Sequence, residues 1–178
     1  MNAYRLPAYI VLEIPPPVRG VIQLMRDSLG TPAARLPVEI TVAGSSGCGP
    51  ISPGTSKNQT EDALKSVLAG LKPFRAQFEE IRRFPNTNIF YLSPQDRQPF
   101  DRIHGSLKGC GISFSPSPWS YNPHCTLRGG PMKEHASAEN IFALSFPKED
   151  FLIDTLSIYE FDLRTVTCHL AFQTKLSE

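Results

Sequence analysis

Hydrophobic positions along this chain alternate between a period of two and a period of three to four, and each change of period marks an element. Ala8–Ile14 is rich in β-branched and aromatic residues and reads as a strand, ended by Pro15–Pro17. Val18, Val21, Ile22, Met25 and Leu29 then recur at helical spacing, with proline at the start and Gly30 as the stop. Val38, Ile40 and Val42 alternate with Glu39, Thr41 and Ala43, which predicts a strand with one apolar and one polar face. Leu64, Val67, Leu68 and Leu71 give the stripe of a second helix, for which Thr60 is the expected N-cap, followed by Glu61 and Asp62 in the first turn. Phe74, Ala76 and Phe78 alternate as one strand, and Asn88–Leu92 reads as the next. Phe100, Ile103 and Leu107 make Pro99–Lys108 a helix that ends at Gly109. Ala138–Leu144 reads as a short helix. Phe151–Phe161 and Thr167–Leu176 read as closing strands, a hairpin around Asp162–Val166.

The order strand, helix, strand therefore occurs twice, over Ala8 to Val42 and over Ile89 to Leu127. The halves share no close identity, so the repetition is one of structure. Gly44–Asn58 and Phe114–Asn122 are rich in glycine, serine and proline and read as loops. The first directly follows the Val38–Val42 strand. A loop of that length either covers a site or is a surface excursion.

Composition narrows the class. A chain of 178 residues is long enough for a core without staples and is expected to form one domain, residues 1–178. Its net charge of +1 creates no strong overall field for nucleic acid or membrane. Cys48, Cys110, Cys125 and Cys168 are scattered, with neither metal-ligand nor redox-pair spacing, and are expected to be free thiols. No stretch has the pattern of a secretory signal or the length of a membrane span, so a reducing cytoplasm is the expected location.

Candidate chemistry concentrates in Tyr121-Asn122-Pro123-His124-Cys125-Thr126-Leu127-Arg128. On a strand, His124, Thr126 and Arg128 share one face while Cys125 and Leu127 point the other way. Pro37-Val38-Glu39-Ile40-Thr41-Val42 repeats the pattern, and Glu39–His124 and Thr41–Thr126 are both 85 positions apart. This pair of motifs resembles the two-histidine phosphoesterase superfamily, the 2′-5′ RNA ligase-like proteins and cyclic nucleotide phosphodiesterases. Members carry histidine, any residue, then threonine or serine, once in each of two related lobes. The second copy here is intact, whereas the first has Glu39 in place of its histidine.

The resemblance implies an α+β, two-lobed pseudo-symmetric fold whose antiparallel sheets face a central cleft, with helices outside. It implies a nucleotide or RNA-end phosphodiester as partner and a 2′-5′ RNA ligase or cyclic phosphodiesterase-like reaction. No cofactor and no metal are expected. One imidazole would take a proton from the nucleophile and the other would give one to the leaving oxygen, while Thr41 and Thr126 hold non-bridging oxygens. An ionised Glu39 about 4 Å from a phosphate charge would cost roughly 4 kcal/mol at an effective dielectric near 20. A neutral, buried Glu39 would instead serve as acid or base. The alternative is a protein that keeps the cleft and binds a nucleotide or phosphate without turning it over. Arg128 is a candidate to offset the repulsion, one position earlier than the arginine of many relatives. Trp119 and Tyr121 either stack on a base or pack. His104 is expected to be structural, His135 lies in a polar loop, and His169 would reach the cleft only in one register.

Overall fold

The computed structural model describes residues 2–129 and 137–177. Its strands are β1 (Ala8–Glu13), β2 (Glu39–Ala43), β3 (Phe74–Ala76), β4 (Phe78–Arg83), β5 (Phe90–Pro94), β6 (Cys125–Arg128), β7 (Phe151–Ile153), β8 (Thr155–Asp162) and β9 (Thr167–Lys175). Helices α1 (Val18–Ser28), α2 (Lys57–Leu68), α3 (Gln98–Leu107) and α4 (Ala138–Phe142) lie between them. Three antiparallel sheets result, ordered β2-β1-β8-β9, β4-β5-β6 and β3-β7. The mixture of helices and antiparallel sheets is the α+β class expected.

The repeated order is real. β1-α1-β2 and β5-α3-β6 each place a motif strand at a sheet edge, hydrogen-bonded to the strand that opens its unit. The two edges then lie against each other. The helices are exchanged: α1 packs on β6, and α3 packs on β2. Apolar residues from both units meet in one core, with Ile10, Leu12, Ile22, Ile40, Val42, Phe90, Leu92, Phe100, Cys125 and Leu127 all buried.

Several boundaries differ from those expected. The N-cap of α2 is Ser56, whose Oγ accepts from Gln59 N, and Thr60 is buried inside the helix, its hydroxyl donating to Ser56 O. Both residues suit an N-cap. The bridges Ala3↔Ser56 and Ala8↔Ile51 decide for Ser56, because they hold the chain extended up to it. The single strand expected over Phe74–Phe78 is two, since β3 pairs with β7 and β4 with β5. Asp154 likewise separates β7 from β8, so Phe151–Phe161 serves two sheets. Val21 is 38% exposed on α1, and Arg26 lies in the buried stripe instead.

The loop after β2 is stitched down rather than loose. Ile51 N bonds to Ala8 O, Ser52 N to Ser113 O and Ser115 N to Pro50 O. Within it Gly47 has φ +69°, and a Cβ there would clash with Cε1 and Nε2 of the His104 ring. That ring cannot retreat: it stacks on Tyr121 with centroids 3.9 Å apart and is 2.8 Å from Val42 O. Gly47→Ala should therefore destabilise the fold by about 2–4 kcal/mol, combining left-handed strain with overpacking. Urea unfolding of the two proteins checks this, and a loss below ~1 kcal/mol would mean that the ring yields.

Candidate active site

On β2, Ile40 and Val42 are buried in the core while Glu39, Thr41 and Ala43 turn the other way, because side chains alternate. The face carrying Glu39 continues across the sheet. Register places Glu13 opposite Glu39, and Val11 between Thr41 and Ser157. Thr41 Oγ1 donates to the Glu39 carboxylate at 3.1 and 3.0 Å. Tyr159 Oη donates to Glu13 Oε1 at 2.7 Å, and Arg19 Nη2 lies 3.8 Å from Glu13 Oε2. Burial pushes Glu39 up to about 7, with Glu13 adding to the rise and the Thr41 hydrogen bond and Arg26 charge opposing it.

The second motif sits on β6, which starts one residue after His124. Register sets Tyr91 beside Thr126 and Leu92 beside the buried Cys125. His124 is held edge-on by Phe84 and Tyr91, at centroid distances of 5.0 and 5.2 Å. Its Nδ1 is 2.7 Å from Asn122 O. A carbonyl can only accept, so Nδ1 carries the proton and Nε2 presents the lone pair. Burial lowers the His124 pKa, opposed by that hydrogen bond, so the ring is neutral at pH 7.

Side-chain donors to backbone carbonyls bring the motifs together. The Tyr121 hydroxyl donates to Thr41 O at 3.2 Å. Arg26, buried on α1, donates from Nε to Thr126 O at 2.8 Å and from Nη1 to Leu36 O and Pro37 O, both at 3.0 Å. Each motif thus lies beside the chain that enters the other. His104, also buried, does the reciprocal job from α3 by donating to Val42 O.

The remaining candidates divide. Tyr121 packs, with its ring on His104 and its hydroxyl on β2. Trp119 is 70% exposed on the loop before β6, where its carbonyl accepts from Gly47 N. Arg128 is only 2% exposed and lines a cavity of about 400 Å³ with Thr31, Arg35 and Thr165. None of Glu39, Thr41, His124 and Thr126 lines that cavity. His169 is exposed and pairs with Glu160, which pairs with Ala8, so it faces away from Glu39. His135 lies outside the described residues. All four thiols are free, and Cys125, pushed up to about 11 by burial, is the innermost. Among the described residues no group of three or more His, Cys, Asp or Glu is gathered to hold a metal, and no helix is long and apolar enough to cross a membrane.

Arg26, Glu13 and Tyr159 were not among the expected site residues. Arg26 had a signal, an arginine four residues after Ile22 on the apolar stripe. Glu13 and Tyr159 had none, because only strand pairing places them near Glu39.

Comparison with known proteins agrees with this architecture. Escherichia coli LigT complexed with 3′-AMP is 15% identical with a TM-score of 0.60, covering 97% of this chain and 99% of that one. A protein of Thermus thermophilus gives 15% identity and a TM-score of 0.62, with 96% and 98% covered. A structure described as a phosphoesterase gives 14% and 0.58, with 98% and 99% covered. At these identities the likeness is one of fold. No curated protein matches the sequence. The model of the 2′-5′ RNA ligase superfamily matches residues 14–165, and the chain belongs to that superfamily.

Proposed function

We propose that the protein binds a nucleotide or RNA-end phosphodiester between β2 and β6 and hydrolyses or transfers it, with His124 as general base and Glu39 as general acid. The observation that carries this reading is the His124 tautomer: Nδ1–H is committed to Asn122 O, which leaves Nε2 free to accept a proton. The opposite role falls to Glu39, whose burial keeps its carboxyl protonated up to about pH 7. A protonated carboxyl also removes the charge repulsion that an ionised one would impose on phosphate.

Consider hydrolysis of a 2′,3′-cyclic phosphate. His124 Nε2 takes a proton from water as its oxygen attacks phosphorus, the bond from phosphorus to one ribose oxygen breaks, and Glu39 protonates that oxygen. Both catalytic groups end with their protons exchanged and re-equilibrate with solvent. Thr126 is the candidate to hold a non-bridging oxygen. Thr41 shares its hydroxyl with Glu39 and orients that carboxyl. Trp119 is assigned the periphery of the site, as an exposed ring on which a base can stack, whereas Tyr121 packs and Arg128 lines a separate cavity.

LigT structures with 3′-AMP, ATP and NADP+ indicate suitable probes. Binding of 3′-AMP by calorimetry and hydrolysis of 2′,3′-cyclic AMP by phosphorus NMR test the reading. Turnover with a rate that falls above about pH 7 is expected, from the value for Glu39. Binding without turnover favours the non-catalytic binding protein. Neither binding nor turnover overturns the proposal.

A further inference from the structure

We infer that Arg26 is a positioning residue for the reaction proposed above: its guanidinium ties the chain entering the Glu39 strand to the Thr126 strand and so sets the separation across which the two motifs act. The inference rests on that reading for its catalytic content, and on hydrogen bonds for its geometry. Arg26 is 1% exposed, yet no salt bridge to a carboxylate accounts for it among the described residues. Its donors go instead to Thr126 O at 2.8 Å, Leu36 O and Pro37 O at 3.0 Å, Ala33 O at 3.2 Å and Cys125 Sγ at 3.7 Å. Three of these acceptors lie on the segment leading into Glu39, and two lie on β6.

A planar fork with donors in fixed directions suits such a bridge, and an ammonium does not replace it. β2 and β6 belong to different sheets and share no strand ladder with each other. Their relative placement therefore depends on side chains that cross the boundary. Among the described residues, Arg26 and His104 are buried and bond to the opposite motif strand. Arg26 is the one whose charge also reaches Glu39. The groups whose charge or titration is felt at that carboxyl are Glu13 and Tyr9 on β1, Arg26 on α1, Tyr121 before β6, Cys125 on β6 and Cys168 on β9.

Two substitutions in the full chain separate fork from charge. Arg26→Lys keeps the charge and loses the fork. It should lower kcat for 2′,3′-cyclic AMP about 10–100-fold per folded molecule, with KM little changed and the Glu39 titration in place. Arg26→Met loses both, so the Glu39 midpoint, followed by carbon-13 NMR of the labelled carboxyl, should also move up. In both variants His104 still bonds to Val42, and circular dichroism gives the folded fraction. An unchanged kcat in the folded Arg26→Lys protein overturns the inference. If the wild type turns nothing over, the proposed reaction is what fails. The clamp is then decided by backbone amide shifts in Arg26→Lys: changes in both 36–41 and 125–127 support it, and changes confined to α1 overturn it.

Discussion

Replacing Glu39 with glutamine is expected to change stability and turnover together, each with its own pH dependence. The folded carboxyl holds its proton up to about pH 7, against an ordinary value of 4.5. Between those values the folded chain binds more protons than the unfolded one, so stability is lost as pH rises from about 4.5 to about 7. At about 1.36 kcal/mol per pH unit, the gap between 4.5 and about 7 amounts to about 3 kcal/mol. Glutamine fills the same space and carries no such penalty. Glu39→Gln should therefore be more stable than the wild type by about 3 kcal/mol at pH 8, and equal to it near pH 4. Urea midpoints at the two pH values measure this. The same variant has no proton to donate, so turnover should fall by about 10²–10⁴-fold and the alkaline limb near pH 7 should vanish. Parallel stability curves would show a hydrated carboxyl, and the role of Glu39 as acid would fall with them.

His124→Ala is expected to remove turnover by about 10²–10⁴-fold as well, a barrier increase of roughly 3–5 kcal/mol. The reason is geometric before it is electrostatic. Phe84 and Tyr91 hold the ring edge-on and Asn122 O fixes its tautomer, so Nε2 is presented without further reorganisation. Because the His124 pKa lies below its ordinary value of 6.5, the base is already neutral at working pH. The wild-type rate should therefore keep rising as pH falls from 8 toward 6.5, while Glu39 gains its proton, and decline only below that. Removing the ring leaves a gap between two aromatic side chains, so rates must be compared per folded molecule. A variant that keeps wild-type kcat would assign the base elsewhere and leave His124 a packing residue.

How far the site can be read from the chain differs between its two halves. His124 and Thr126 are legible because a short motif, its flanking proline and the alternation of one strand are all local. Glu39 is legible only as a departure. Whether it repels phosphate or donates a proton depends on how the fold buries its carboxyl, and on the Thr41 hydrogen bond and the charges of Arg26 on α1 and Glu13 on β1 that act on it there. Arg26 itself carried a contrary signal: a charged residue on an apolar stripe suggests a frayed helix face until its acceptors are known. They are carbonyls of distant segments, Thr126 O among them.

The sequence by itself determined the elements and their order, because periodicity, proline, glycine and capping act within a few residues. The proline-led start of α1, the stop at Gly109 and the β8–β9 hairpin required nothing more. It also determined that the two motif strands would be half polar, since alternation along a strand is a backbone property. Tertiary structure alone decided between competing local signals. Ser56 rather than Thr60 caps α2, and Phe74–Phe78 divides between two sheets, because pairing partners outside those segments satisfy their backbone groups. It alone decided that β2 and β6 meet edge to edge, with α1 and α3 exchanged to clamp them. The physical reason is common to all of these: hydrogen-bond satisfaction and dehydration depend on groups brought together from far along the chain, and the protonation of Glu39 follows from that dehydration.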